Sequence, residues 1–247
     1  MRTIFKIATL VVLSCLMLSN SDVFAQRNRE PVRVLLVTGG QGFNRDLFHA
    51  FLGSLPGITF TEARHPEALQ MFRPENRSKF DVVLLFDMPR EIGEQEKKDF
   101  TDMLNEGKGM LVLHHAFCSY QNWPEYQNII GGRYHQEPWT DSDGVARPAS
   151  NYTYNVNFRV RVTDRRHPVT RGVRDFNIID EAYGNGVVNP GVHVLLATDA
   201  PESTPSIGWT NRYGKSNIVT ILLGHDNQSW TNPNFAKIVE QAIKWVR

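Results

Sequence analysis

Short apolar runs alternate with longer polar stretches of helical character through the first half of the chain. The runs cover residues 32–38, 81–86 and 110–114, and a weaker one covers 58–63. Runs too apolar to face water on either side are typical of strands inside a parallel sheet. Between them, Phe48, Phe51 and Leu52 recur at helical spacing after the capping residue Asn44, and residues 91–106 form an amphipathic helix pattern. This alternation predicts an α/β fold with a doubly wound, mostly parallel sheet and helices on both faces.

The pattern changes after residue 117. A helix is predicted over residues 124–130, and residues 137–151 are polar and contain Pro138, Gly144 and Pro148, which favours a surface excursion. Further strands are predicted over 152–162, 193–197 and 218–223, with a hairpin arm over 205–213 and a closing helix over 235–246. The fourth strand is therefore expected to be followed by a long insertion.

The first 25 residues have the pattern of a signal peptide. Arg2 and Lys6 precede an uncharged, mostly apolar run over 7–18, and Val23-Phe24-Ala25 offers a cleavage site. The run is shorter than the ~20 residues that a membrane span needs. We expect a periplasmic or secreted protein with a signal peptide over 1–25, a short leader over 26–31 and one domain over 32–247. A lipoprotein anchored through Cys15 is the alternative.

The charge balance and the cysteine content limit which partners and which disulfides are expected. Cleavage removes Arg2, Lys6 and Asp22 from 27 basic and 26 acidic residues, which leaves 25 of each. A neutral domain without a basic stripe gives no electrostatic reason to bind nucleic acid. Cys118 is then the last cysteine, so no internal disulfide is expected. The oligomeric state is left open, and an oligomer is compatible with the sequence.

Polar residues gather where the predicted strands end, which is where ligands bind in open α/β sheets. His115 ends the fourth strand, and His225 with Asp226 ends the last one. His135 follows a Gly-Gly pair, and Glu181 lies in a short acidic segment. Because successive strand side chains point to opposite faces, His115 is expected in the pocket and His114 in the core. A hydrogen-bonded core histidine is the competing interpretation for His115, and a salt bridge is the one for Glu181.

Three imidazoles and one carboxylate would suit a divalent metal, with zinc favoured. We predict His115, His135 and His225 as metal ligands, and His115, Glu181, His225 and Asp226 as catalytic groups. The predicted sugar-binding residues are the turn glycines, its glutamine and four aromatic residues: Gly39, Gly40, Gln41, Trp123, Tyr134, Tyr183 and Trp230. The turn after the first strand lacks the dinucleotide spacing and a P-loop lysine, so no nucleotide cofactor is expected. The alternative interpretation of this glycine-rich turn is a tight turn that binds no ligand.

Several segments in the same order resemble the ThuA-like (trehalose utilisation) family. They are Val-Thr-Gly-Gly at 37–40, Asn-Trp-Pro-Glu-Tyr at 122–126, Gly-Gly-Arg-Tyr-His at 131–135, His-Pro-Val-Thr-Arg-Gly at 167–172, Asp-Glu-Ala-Tyr at 180–183 and Leu-Gly-His-Asp at 223–226. The resemblance implies a flavodoxin-like fold of the class I glutamine amidotransferase-like superfamily. It also implies a small-molecule carbohydrate partner, at the level of oxidised (3-keto) disaccharides or glycosides.

The same resemblance limits the chemistry. Relatives in the amidotransferase superfamily carry a cysteine elbow after the equivalent strand, whereas Ala116 and Tyr120 flank Cys118 here. A strained elbow needs small residues on both sides, so a thiol-dependent amidotransferase is not expected. Many ThuA-like relatives carry a histidine in the turn after the first strand, where this chain has Gln41, Phe43 and Asn44. The leading hypothesis is a metal-assisted hydrolase, lyase or isomerase on keto-sugars, and the alternative is a non-catalytic carbohydrate-binding module.

Overall fold

A nine-stranded mixed sheet organises residues 30–247, the part of the chain that the computed structural model describes. The strand order is β2-β1-β3-β4-β13-β12-β11-β8-β9. Compact unit Val32–Arg247 contains the whole sheet. The predicted signal peptide, the Cys15 anchor and residues 26–29 of the predicted leader lie outside the described residues. No described helix is both long and apolar enough to cross a bilayer.

The parallel half of the sheet is built from the apolar runs of the sequence. It contains β1 (Val32–Gly39), β2 (Ile58–Arg64), β3 (Val82–Asp87), β4 (Gly109–Leu113) and β13 (Ser216–Ile221). Strand β1 lies between β2 and β3, and β4 lies between β3 and β13, with every one of these pairs parallel. Because β3 and β4 are buried along their whole length, both of their faces must be covered. The predicted flavodoxin-like, doubly wound α/β fold is confirmed for this half.

The predicted long insertion separates β4 from β13 and extends the sheet with antiparallel strands. These are β8 (Asn151–Val162), β9 (Phe176–Gly184), β11 (His193–Ala197) and β12 (Ser206–Tyr213). Four strands in this half are antiparallel to their neighbours, so the sheet is mixed and its parallel character is confined to one side. Short ladders complete the insertion: β5 (Gly132–Arg133) pairs with β10 (Val187–Val188), and β6 (Trp139–Thr140) pairs with β7 (Ala146–Arg147).

Five α-helices are described. One aromatic cluster packs helices on the sheet, and a second packs helices on one another. The helices are α1 (Arg45–Ser54), α2 (Glu94–Glu106), α3 (Pro124–Ile130), α4 (Asn227–Trp230) and α5 (Pro233–Val246), with 3₁₀ turns over Glu67–Phe72, Pro74–Lys79 and His114–Cys118. Phe48 of α1 stacks on Phe86 of β3 with ring centroids 4.1 Å apart, and it also contacts Trp230 of α4. Phe100 of α2 packs on Trp123 and Tyr126 in a second cluster.

Two of the predicted sugar-binding aromatic residues belong to these clusters. Trp123 and Trp230 are both more than nine-tenths buried. The Trp230 indole N–H donates to the Gly224 carbonyl oxygen at 2.9 Å, and Trp123 packs on Phe100. Their prediction as sugar-stacking residues is therefore wrong: both side chains fill the core, and that of Trp230 also has a partner for its N–H there.

Candidate functional site

A cavity of about 610 Å³ opens at the carboxyl ends of the parallel strands. Gly40 and Gln41 after β1, Met88 after β3 and His115 after β4 line one side of it. Glu181 and Tyr183 of β9, with Ser150, Tyr152 and Tyr154, line the other side. The cavity therefore lies where the rule for open α/β sheets places it, but the antiparallel extension supplies half of its wall.

Three donor atoms form a nearly equilateral triangle at the floor of this cavity. His114 Nε2 lies 2.9 Å from Glu181 Oε2 and 3.0 Å from His225 Nδ1, and the third side, from His225 Nδ1 to Glu181 Oε2, measures 3.2 Å. His114 directly follows β4, Glu181 lies on β9 and His225 follows β13. Among residues 30–247, this is the one group of three metal-ligating side chains whose donor atoms converge. We call His114, Glu181 and His225 the His–Glu–His centre.

The tautomer of His114 is fixed by the backbone. Its Nδ1 lies 2.9 Å from the Leu222 carbonyl oxygen, which can only accept, so Nδ1 carries the proton. In the neutral ring, Nε2 then presents a lone pair to the Glu181 carboxylate. Lone pairs facing each other at 2.9 Å repel, so a proton or a cation must lie between them. A backbone carbonyl on the distal nitrogen is the usual way in which a metal-ligating histidine is oriented.

The electrostatics of the centre favour an ionised carboxylate. Burial alone would raise the pKa of Glu181, but hydrogen bonds from His114 and His225 outweigh it and lower that pKa to about 2. The hydrogen bond to Glu181 raises the pKa of His225, against the effect of its partial burial. Tyr183 adds a hydroxyl 3.0 Å from His114 Nε2. At neutral pH the centre therefore holds a negative charge next to two imidazoles.

The Asp180 carboxylate links the two chain segments that carry Glu181 and His225. Its Oδ1 accepts the backbone N–H of Glu181 at 2.9 Å and that of His225 at 3.0 Å, while its Oδ2 accepts the Gly224 N–H at 2.7 Å. The carboxylate is almost fully buried, and burial raises its pKa, although the His114 charge and these backbone donors oppose the rise. Asp180 thus ties β9 to the segment after β13 and fixes where Glu181 and His225 lie.

The structure corrects the assignment of the two adjacent histidines. Strand alternation placed His115 in the pocket and His114 in the core. Residues His114–Cys118 form a 3₁₀ turn, and His114 has a φ of 51°, so strand alternation no longer applies. Both rings line the cavity, but His114 supplies the converging nitrogen. Burial lowers the pKa of His115 to about 3, and its Nε2 has no hydrogen-bond partner among the described residues.

His135 and Asp226 lie outside the His–Glu–His centre. The His135 ring stacks on Trp139 with centroids 4.0 Å apart, in a neighbouring pocket, because the β6–β7 excursion draws it away. Burial lowers its pKa to about 4. Asp226 accepts the Gln228 N–H at 2.8 Å and caps α4. The predicted convergence of His135 with the other histidines is therefore wrong, and Asp226 orients a helix rather than an imidazole.

The remaining predicted sugar-binding residues divide into two groups. Gly40, Gln41, Tyr134 and Tyr183 line the cavity, whereas Gly39 lies against His65 instead. A Cβ on Gly40 would lie 2.4 Å from the Met88 carbonyl, and its φ is +81°, so the turn requires glycine there. The turn after β1 is thus an element of the cavity wall that only glycine can form.

Cys118 also lines the cavity but is a poor nucleophile. Burial raises the pKa of its thiol well above the ordinary value, and the Glu181 charge raises it further. A thiol with a raised pKa stays protonated, and the thiolate is the reactive form. The sequence, which lacks a nucleophile elbow around Cys118, and the buried surroundings of its thiol both indicate that Cys118 is not a catalytic nucleophile.

The family model for trehalose utilisation, ThuA, matches residues 33–246. The chain belongs to the ThuA family. Solved structures titled as ThuA-like proteins share the fold: one from Parabacteroides merdae ATCC 43184 is 18% identical, with 87% of this chain and 90% of that chain covered and a TM-score of 0.72. One from Bacteroides uniformis ATCC 8492 is 17% identical, with coverages of 88% and 92% and a TM-score of 0.63.

A more distant structure extends the fold comparison. The cytoplasmic protein STM3548 from Salmonella typhimurium is 12% identical to the ThuA-family chain, with 86% of this chain and 98% of that chain covered and a TM-score of 0.58. No curated protein matches the chain significantly. Likeness at these identities shows the fold alone, so the function must be argued from the His–Glu–His centre and its cavity.

Proposed function

We propose that this ThuA-family protein is an exported, metal-assisted enzyme that acts on a disaccharide or a 3-keto-glycoside. The observation that carries the proposal is the triangle of His114 Nε2, Glu181 Oε2 and His225 Nδ1 at the floor of the cavity. Two imidazole nitrogens and a carboxylate are a donor set that divalent transition metals take, and catalytic zinc sites keep a further position for water or substrate.

The spacing of the donors supports the fit to a small cation. Tetrahedral ligands about 2.1 Å from zinc are separated from one another by about 3.4 Å. The three separations here are 2.9, 3.0 and 3.2 Å, so sub-ångström side-chain shifts would produce that arrangement. Zinc is the favoured ion. His114, Glu181 and His225 would hold it, and a bound ion would polarise the carbonyl group of a keto-sugar.

The protein's own groups would handle the proton. The hydrogen bond between His225 and Glu181 raises the pKa of the imidazole, and the pKa of the carboxyl group is lowered despite its burial. With a metal held, His225 Nδ1 and Glu181 Oε2 would both be occupied as its ligands, so the proton on the carbon next to the sugar carbonyl would pass to another group. His115 lines the same cavity, is neutral and has no partner at Nε2, so it would accept that proton or bind a sugar hydroxyl.

Zinc content and keto-sugar turnover test this proposal together. The full chain is expected to bind about one zinc ion, to consume 3-keto-trehalose, and to lose turnover when a chelator removes the metal. Cys118→Ser is expected to keep turnover, because its buried, protonated thiol takes no part. A chain that neither retains zinc nor consumes the keto-sugar would refute the proposal, and loss of turnover in Cys118→Ser with zinc retained would favour a thiol route.

Export is the second part of the proposal, and it rests on the sequence of residues 1–25. We expect the protein from the producing cell's envelope or medium to begin at Gln26, which N-terminal sequencing would show. Removal of the Arg2 and Lys6 charges should retain the precursor inside the cell, since a basic head directs the segment. A protein that stays attached to membranes and is released by Cys15→Ser would instead establish the lipoprotein alternative.

A further inference from the structure

A β-bulge in the first half of β8 turns two tyrosines toward the cavity. Thr153 pairs with Ala182 and Val156 pairs with Asp180, so β8 contains one more residue than β9 across this interval. Beyond the bulge, Phe158 and Val160 point into the core. Before it, Tyr152 pairs with Tyr183, and directly paired residues share a face. Without the extra residue, Tyr152 would fall on the same face as Phe158.

The bulge is anchored beside the His–Glu–His centre. Asn155 has a φ of 56°, and its side-chain oxygen accepts a hydrogen bond from Gln228 Nε2 at 3.0 Å. Gln228 lies in α4, the helix that begins directly after His225 and the capping residue Asp226. Bulges near active sites commonly re-aim a side chain. Here the bulge and the Gln228 contact hold residues 152–154 over the cavity.

Tyr152 and Tyr154 form an exposed aromatic pair at the cavity mouth. Tyr152 is 55% exposed and Tyr154 is 52% exposed, although both line the cavity. Their rings meet edge to face with centroids 5.2 Å apart, and the Tyr154 ring lies 5.1 Å from that of His225. Most large aromatic residues of this chain are buried, so an exposed pair next to a polar centre is a feature that packing does not explain.

We propose that Tyr152 and Tyr154 form an outer sugar subsite that selects substrates with two rings. This inference rests on the proposed function, because the first ring would lie over the His–Glu–His centre. The second ring would stack on the tyrosines, whose apolar faces suit the C–H surface of a sugar and whose hydroxyls suit its polar edge. A cavity of about 610 Å³ lies within the range that encloses drug-sized ligands, which is more than one sugar ring requires.

Calorimetric titration of the full chain with trehalose and with glucose tests the subsite. The wild-type protein is expected to bind trehalose more tightly than glucose. Tyr152→Ala and Tyr154→Ala should each weaken trehalose binding by roughly tenfold and leave glucose binding unchanged, as the loss of one aromatic contact predicts. Tyr152→Phe, which keeps the ring, should retain most of the preference. Both tyrosines are exposed, so their removal should not impair folding.

The controls separate this inference from the proposed function. Ile179→Ala removes another exposed apolar side chain from the β8–β9 hairpin outside the cavity lining, and it should leave both affinities unchanged. Equal weakening of trehalose and glucose in the tyrosine variants, or no preference for trehalose in the wild-type protein, would overturn the outer subsite. Titrations repeated after chelation report on the subsite alone, whereas missing zinc or missing turnover would refute only the proposed function.

Discussion

Replacement of His114 by glutamine is expected to lower zinc affinity and keto-sugar turnover by at least about 100-fold, more than the 10–100-fold that supporting residues contribute around metal sites. His114 Nε2 is one corner of the donor triangle, and its Nδ1–H is already used by the Leu222 carbonyl. Glutamine reaches about as far, but its amide oxygen is a weaker zinc ligand than an imidazole nitrogen, and the hydrogen bond from Nδ1 to the Leu222 carbonyl that orients the ring is lost. Metal content by mass spectrometry and turnover of 3-keto-trehalose would measure the loss.

His115→Gln and His193→Gln are the matched controls for this substitution. His115 contributes no atom to the triangle, so its replacement should leave zinc affinity within a few-fold while weakening sugar binding. His193 is half-exposed and pairs with Asp164 away from the cavity, so both readouts should stay at the wild-type level. Because His114 is fully buried, circular dichroism must accompany the assay. If folded His114→Gln protein binds zinc like the wild type, the His–Glu–His centre does not hold the metal.

Asp180→Asn is expected to reduce the free energy of unfolding by about 3 kcal/mol, since one buried backbone donor loses its acceptor and a new N–H faces it. The carboxylate accepts from Glu181, Gly224 and His225 with both of its oxygens. An amide presents one oxygen, so its NH₂ group must point at one of these N–H groups. Urea unfolding followed by tryptophan fluorescence would measure the change.

The same substitution should also weaken zinc binding, because Glu181 and His225 depend on Asp180 for their positions. Asp199→Asn is the control: Asp199 is an exposed partner of Arg161, and exposed ion pairs contribute at most about 1 kcal/mol. If Asp180→Asn were as stable as Asp199→Asn, the backbone of residues 224–225 would not depend on this carboxylate. If it lost stability but kept full zinc affinity, Asp180 would be structural without positioning the centre.

The parallel half of the fold is predictable from the sequence because strands buried on both faces must be apolar throughout. For residues 81–86 and 110–114, the apolar run alone was enough to predict the strand. The strand Phe176–Gly184 is harder, since its outward residues Asn177 and Ile179 alternate with core residues and it carries Asp180 and Glu181. Asp180 and Glu181 interrupt its apolar residues, so the sequence does not indicate a strand there, and its place at the sheet edge follows only from pairing with β8.

Within the site, His225 was predictable because it follows the end of a strand, and Glu181 because it lies in a short acidic segment. His114 was not, because a single backbone feature, the 3₁₀ turn with a left-handed residue at its start, reverses the alternation on which the prediction relied. His135 illustrates a second limit. Its position in the sequence does not show that the β6–β7 ladder follows it, or that its ring stacks on Trp139 of β6.

The three donors enter the growing polypeptide at widely separated times. His114 is made first, Glu181 follows in the insertion, and His225 comes only shortly before the closing helix. A nascent or truncated chain that stops before residue 224 therefore contains at most two of the donors, and it also lacks the Gly224 and His225 amides that Asp180 binds. Zinc uptake through this centre would thus begin only after synthesis is nearly finished.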